Sequence, residues 1–575
     1  MEFTIDQSAI INSTKNLLVH NYTGSGVTEA INVAIKNKIR SKILLIAASE
    51  SGKQQFINRF ETDRIKNVKV ETAFSLAWNK VGHKQIAVKK DGYSPFEIKN
   101  ILNINSADTI HDLRLASFIN RMCICQCNST SERDIKANFL KTLFREEDIT
   151  FFWQNERQLF EYANAFIDLM YRWRIPCIPE FCLQLYYQAR PVINCDFIIV
   201  EDAPNTSKAV LNVIKSQKAL KFIFGDEHQK LKLCNDWQSV FEDSMYIGKS
   251  LNNSFIHSEN VTNHINEFIG WKKYLYENFD YPLLECSASV KNKRINAFIG
   301  KNKVAVLNKA FEIYCNGEES KSAFFEQGID FYLINRDGIS LYDILHLYKE
   351  EQSRIAHPLV RSIGSIEVLE EYAQIMKDQN CLGLIQMVKK HRKGLSEMIR
   401  KVSRSESKNK EARKSTINFS SSLLPGRYDE VTLLKDFINE VDILEATNSS
   451  CSVDFFQLEH EINLLYHTAS RAMSKLDFEA DSSRTNVSGN DNSLVNKKKI
   501  KTRDEKTDRN SSDFVFNLER SKNHHKNIFN KWTAEQDQFL VNMHQKDKSI
   551  SDIASTLKRT KSAVTSRLRK LTESE

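Results

Sequence analysis

A chain of 575 residues has room for roughly three to five domains. Its 41% hydrophobic and 27% charged residues can build large cores, and only 8 prolines and 17 glycines argue against a sandwich-rich or low-complexity chain and for helix-rich α/β architecture. No apolar run approaches the ~20 residues that span a bilayer, the acidic start MEFTIDQSAI is unlike a secretory signal, and a net charge of +8 permits nucleic-acid binding without requiring it.

Residues 1–92 alternate apolar strands with helical patterns. NLLVHNY and KILLIAAS read as strands, with VTEAINVAIKNKI a helix between them, and such a unit implies a parallel sheet. Residues 93–188 carry aromatics and charges at helical spacing, as in FEYANAFIDLMYRW, and read as an all-helical insertion. Within it, CICQC (Cys123, Cys125, Cys127) lacks the second pair that structural zinc needs, so buried thiols are the expectation. The 11 cysteines have no disulfide rhythm, which suits a reducing interior. The strand pattern returns in CDFIIVEDA and LKFIFGDEHQ, around the helix SKAVLNVIKSQKA, and completes a first α/β domain over 1–92 and 189–280. A second α/β domain follows over 281–480. FYLINR and DEVTLLKDF are its expected strands, a helical insertion lies near 350–413, and EINLLYHTASRAMSKLDFEA is a helix running into a last strand. Residues 481–527 are rich in Ser, Asn, Asp and Lys, and read as a disordered basic linker containing KKKIK. Residues 528–575 regain helical order.

LLVHNYTGSGVTEAINVAI has the layout of a phosphate loop: strand, glycine-bearing turn, helix. Backbone N–H groups and the helix dipole there face anions, a lysine reaches the outer phosphates, and a Ser or Thr holds magnesium. Gly24, Ser25, Gly26 and Thr28 are present, but Val27 stands in the lysine position and Glu29 adds a negative charge. Alone, the pattern also reads as a tight strand-to-helix turn.

The order of segments resembles the UvrD/Rep-like superfamily-one DNA helicases, and among them the branch that includes the F-box DNA helicases. FTIDQSAIINS resembles their adenine-reading segment, with Gln7 as its glutamine, and VETAFSLAW their single-strand-contacting T-F-H-S-L-A, with Thr72 and Ser75. FIIVEDAPN falls where the family has D-E-A-Q-D, with Glu201 and Asp202 in swapped order. FGDEHQ matches G-D-x-x-Q through Asp226 and Gln229. LLECSASVKNKRI has Ser289 where relatives show a phosphate-clamping arginine, with Lys291, Lys293 and Arg294 nearby. STINFSSSLLPGRYDEVTLLKDF resembles T-x-H-x-x-K-G-x-E with its core scrambled, and LLYHTASRA matches Y-V-A-x-T-R-A with Arg471 at the arginine-finger position.

The resemblance implies two RecA-like parallel-sheet domains with helical insertions, ATP bound through Gln7, Gly24, Ser25, Gly26, Thr28 and Asp226, and Mg held by Thr28 and Glu201. It gives Glu201, Asp202, Gln229 and Arg471 the catalytic roles, and assigns single-stranded DNA to Thr72 and Ser75. With the lysine gone, the expectation is weak or absent hydrolysis, ATP and Mg binding only as far as the degenerate site allows, unless Lys15 or Lys53 substitutes. The structural alternatives are a strand–helix tie for Asp226 and Gln229, a salt bridge at the domain interface for Arg471, and a solvated strand-end pair for Glu201 and Asp202.

The tail KWTAEQDQFLVNMHQKDKSISDIASTLKRTKSAVTSRLRKL resembles a Myb-like helix-turn-helix, a small all-α three-helix module. Its third helix carries Lys561, Arg567, Arg569 and Lys570, placed for duplex DNA; a solvated face that binds protein is the alternative. The functional expectation is a helicase-like DNA-binding protein with a regulatory role and a protein partner, intracellular (cytoplasm in a prokaryote, nucleus in a eukaryote), with no membrane role. An active 3′-to-5′ helicase and a protein scaffold are the alternatives.

Overall fold

The computed structural model describes residues 3–479 except 83–86, 130–131, 144–145, 232–236, 242–244, 277–278, 288–294, 317–321, 336, 410–415, 423, 425 and 449–454, together with Met543 and Thr556. The chain forms two compact units, 1–487 and 488–575. The expected linker and helix-turn-helix, including Lys561, Arg567, Arg569 and Lys570, lie outside the described residues, as do Ser289, Lys291, Lys293 and Arg294.

The first unit is α/β and contains two parallel sheets. In the first sheet, β1 (Asn16–Asn21), β2 (Ile43–Ala47), β3 (Val68–Thr72), β4 (Phe197–Val200), β5 (Leu220–Gly225) and β6 (Tyr246–Leu251) run in the order β3-β2-β4-β5-β1-β6. Every residue of ILLIA in β2 and FIIV in β4 is buried, because helices cover both faces. Leu17, Val19, Leu45 and Phe222 pack on one face against Ile31, Ile35 and Phe56. Leu44, Ile46, Ile198 and Ile223 pack on the other against Leu76, Val210 and Ile214. From β1 the chain crosses past β5 and β4 to reach β2, and β6 later closes the opposite side. Such a reversal of strand order leaves a crevice beyond the carboxyl ends of the strands, and here it opens at the end of β1.

Between β3 and β4 the chain forms the helices Pro95–Ile101, Thr109–Asn128, Glu132–Leu140, Glu146–Tyr171 and Pro179–Gln188. They share a core of Leu115, Phe118, Phe139, Phe152, Phe166 and Phe181. Cys123, Cys125 and Cys127 are buried in that core, on the helix Thr109–Asn128.

A short parallel pair, β7 (Asn253–Ser254) with β8 (Glu285–Cys286), precedes the second sheet. There β9 (Asn296–Gly300), β10 (Ala323–Phe325), β11 (Ile417–Ser421), β12 (Tyr428–Leu433) and β13 (Ala472–Phe478) run in the order β10-β11-β9-β12-β13, all parallel. Between β10 and β11 lie helices that include Leu341–Tyr348, Ile366–Ile375, Gln379–His391 and Leu395–Ser405. Their core of Leu345, Tyr372, Leu384, Val388 and Leu395 also takes in Leu113 from the first insertion. Asp148 reinforces that contact by pairing with Arg114 at 3.0 Å and with Lys377.

FYLINR is not a strand. Its first residues belong to the helical turn Ile329–Tyr332, which Gly328 introduces at φ +77°. Tyr332 and Leu333 are buried in the helical core, so these aromatic and aliphatic residues face one cluster rather than alternating across a sheet.

Candidate functional site

The loop after β1 is shaped by two glycines, Gly24 and Gly26, both at φ +74°, a region L side chains avoid. A Cβ at Gly24 would also lie 2.6 Å from Ser254 Oγ and from Ile256. The helix Val27–Asn37 starts here with Gly26 as its N-cap and no side-chain cap. Its first N–H groups are therefore available to an outside acceptor. Val27 packs against the core beneath the sheet. Gln7 braces the loop: Nε2 donates to Ser25 O at 3.0 Å, and Oε1 accepts from Thr4 N–H at 3.1 Å.

These elements border a cleft of about 520 Å³. Gln7, Gly24, Ser25, Gly26 and Thr28 line it from one side. Glu201 and Asp202, at the end of β4, and Asp226 and Gln229, after β5, line it from the sheet. Glu201 accepts from the Ala48 N–H at 3.0 Å, and burial raises its pKa. Asp202 is held by Asn205 Nδ2 at 3.0 Å, and that amide also donates to Gln229 O at 3.1 Å. Both acids border the cleft, each tied to a different wall.

Asp226 is buried, and loss of hydration pushes its pKa up to about 7. It accepts from Tyr466 Oη at 2.6 Å, and the same hydroxyl accepts from the Thr23 N–H at 3.1 Å. Tyr466 lies on the helix Phe455–Ala469, which feeds the second sheet, so one phenol connects the loop, the end of β5 and the second lobe. Beside it Lys272 Nζ, 2% exposed, meets His228 Nδ1 at 3.0 Å and Glu459 at 3.4 Å. Burial and the neighbouring Lys272 together hold the His228 imidazole well below its usual pKa, hence neutral.

No protein-family model matches this chain, and a search of curated proteins finds no match.

The cations of the cleft are not where the resemblance implies. Arg471 does not line it. Buried at 4% exposure, it donates to Gly426 O (2.8 Å), Ser421 O (2.7 Å), Ser420 Oγ (2.7 Å) and Glu326 (3.0 Å). Its guanidinium is consumed within the second lobe, a salt bridge in place of an arginine finger. Lys53 is bound to Glu71 at 2.8 Å. Lys15 precedes β1, at the opposite end of a six-residue strand from the loop, roughly 20 Å away at ~3.3 Å per residue. The Glu29 carboxylate is met by both Arg59 terminal nitrogens at 2.7 Å, so its charge is balanced. Among the described residues, the cation that lines the cleft is Arg427, just before β12. Sequence reasoning passed over it inside the scrambled segment, and also passed over Phe255 and Ile256, which line the cleft just after β7.

Thr72 and Ser75 form a capping box at the start of the helix Ala73–Val81, each side-chain oxygen accepting from the other's backbone N–H. Lys53 and Glu71 also engage Ser75. This geometry orients the helix, and gives the two side chains local partners.

Among the described residues no group of three or more His, Cys, Asp or Glu is placed to hold a metal by itself. Magnesium ordinarily takes one or two carboxylates and completes its octahedron with waters and phosphate oxygens. Glu201 and Thr28 both border the cleft and fit such a partial set. One polar atom fits a phosphate-bearing ligand as well: the Ser25 hydroxyl, which can donate to a phosphate oxygen, is buried at the cleft with no partner among the described residues.

Proposed function

We propose that this chain is a helicase-like DNA-binding protein with two RecA-like lobes, whose interlobe cleft takes ATP and Mg but hydrolyses ATP slowly or not at all. One observation carries the reading. Residues from four segments far apart in sequence (Gln7; Gly24 to Thr28; Glu201 and Asp202; Asp226 and Gln229) line a single cleft at the carboxyl ends of the strands.

Phosphoryl transfer in such sites is chiefly positioning and neutralisation of charge that grows in the transition state. Bound ATP·Mg would supply the phosphates and the divalent charge, with Thr28 and Glu201 beside the metal. The protein's own contribution is short of cations, since Val27 is aliphatic and Arg471 is engaged elsewhere. Single-stranded DNA is assigned to the core near Thr72 and Ser75, and duplex DNA to the C-terminal module. Retained binding without turnover suits a regulatory partner of another DNA-processing protein.

The test is equilibrium binding of ATP·Mg to the full chain with and without single-stranded DNA, alongside steady-state hydrolysis. Saturable binding is expected, with turnover well under the ~10 s⁻¹ of an ordinary enzyme. DNA-stimulated turnover at or above that rate would establish a working motor instead.

A further inference from the structure

Arg427 faces the cleft on a strap that is fixed at both ends. Arg471 holds the strap by donating to Ser421 O (2.7 Å) and Gly426 O (2.8 Å), and by accepting from the Tyr428 N–H at 2.9 Å. At Gly426, φ is +137°, and a Cβ there would lie 2.5 Å from Glu326. Tyr428 and Asp429 are fully buried, whereas Arg427 is exposed. The chain thus turns one side chain out between anchored neighbours. Among the described residues the Arg427 guanidinium has no hydrogen-bond or ion-pair partner. The acids that share the cleft have other partners: Glu29 is paired with Arg59, Glu201 accepts from the Ala48 N–H, Asp202 is held by Asn205, and Asp226 is bonded to Tyr466.

The same cleft is lined by the two glycines, the uncapped helix start and the buried Ser25 hydroxyl, which lacks a partner among the described residues. Buried polar atoms left unpaired are costly, and ordinarily mark a missing acceptor or donor. We infer that Arg427 is the phosphate-binding cation of this cleft, reaching the polyphosphate tail of the ligand from the second lobe and standing in for the lysine that Val27 replaces. The Ser25 hydroxyl donates to the same tail. This inference rests on the nucleotide reading above, and names the residue that makes it possible without a lysine. A planar guanidinium grips phosphate through two parallel N–H bonds, which an ammonium cannot reproduce.

The experiment compares ATP·Mg and inorganic tripolyphosphate binding to the full chain, native and substituted. Arg427→Ala is expected to weaken both about 10- to 100-fold, the range for a lost charge-assisted hydrogen bond. Arg427→Lys falls between, and Val27→Lys added to Arg427→Ala restores binding by returning a cation to the loop. An unchanged urea midpoint in Arg427→Ala shows that the fold is intact. Native-like affinity in Arg427→Ala, with the native protein binding ATP, overturns the inference and leaves the nucleotide reading standing. A native protein that binds neither probe overturns both.

Discussion

Arg471→Ala is expected to lower the unfolding free energy by about 3–5 kcal/mol, as loss of one partner from a buried ion pair does. The guanidinium joins β11, the strap before β12 and the turn before β13, through two backbone carbonyls, Ser420 Oγ and the Glu326 carboxylate. Its ring-facing side lies 5.5 Å from the Tyr428 centroid. Removing it leaves two buried carbonyls without their donor and Glu326 without the guanidinium that faces it. Urea unfolding of the full chain measures the loss. Arg471→Met combined with Glu326→Gln should lose clearly less than the two single changes summed, because the pair is then removed together. The strap carrying Arg427 loosens as well, so nucleotide binding falls with stability. A native-like midpoint for Arg471→Ala would mean that these bonds contribute little, and would return Arg471 to the catalytic candidates.

The second large effect is a pH dependence centred on Asp226. Burial raises its pKa from an unfolded value of 3.8 to about 7, while Tyr466 Oη and the His228 N–H pull the other way. The folded state therefore holds a proton that the unfolded state has released between those two values. The stabilising contribution is fully present below 3.8 and is lost as pH rises through about 7. A tenfold difference in proton affinity between the folded and unfolded states is worth ~1.4 kcal/mol, so the effect is on the order of a few kcal/mol. The measurement is the difference in urea stability between the native protein and Asp226→Asn from pH 4 to pH 8, which cancels the other titrating groups. The native protein should lose stability relative to the variant as pH rises across this range. A flat difference would mean that Asp226 titrates normally. Tyr466→Phe, which removes the phenol donor, should move the loss to higher pH.

Most of the strands read from sequence were apolar runs; DEVTLLKDF, which covers most of β12, and the strand after EINLLYHTASRA were read from alternating or mixed patterns. ILLIA, FIIV and all but the first residue of LKFIFG are buried within a sheet covered on both faces, and burial of that kind leaves a continuous signature, while NLLVHN buries Leu17 and Val19. The short strand Ala323–Phe325 has three residues, too few for a period, and Ile417–Ser421 hides its core position behind the buried polar residues Asn418 and Ser420. FYLINR misled because aromatic and aliphatic residues suit strands and buried helical turns alike; the left-handed Gly328 decides between them. At the site, Gln7, the glycine loop, the acid pair and Asp226 were legible through the order of short segments. Arg427 was not. Nothing local separates it from the other members of a set of 81 lysines and arginines, and only the way β12 enters its sheet turns it toward the loop. The displacement of Arg471 was equally hidden, since its partner Glu326 lies 145 positions away.

The most direct test of the account is a crystal structure of the full chain with Mg and a non-hydrolysable ATP analogue. The account predicts the phosphates over the backbone N–H groups of Gly24 to Thr28, with the Arg427 guanidinium on the outer oxygens and Arg471 still bonded to Glu326. A triphosphate bound away from this loop, or one met by Arg471 while Arg427 points to solvent, would contradict it.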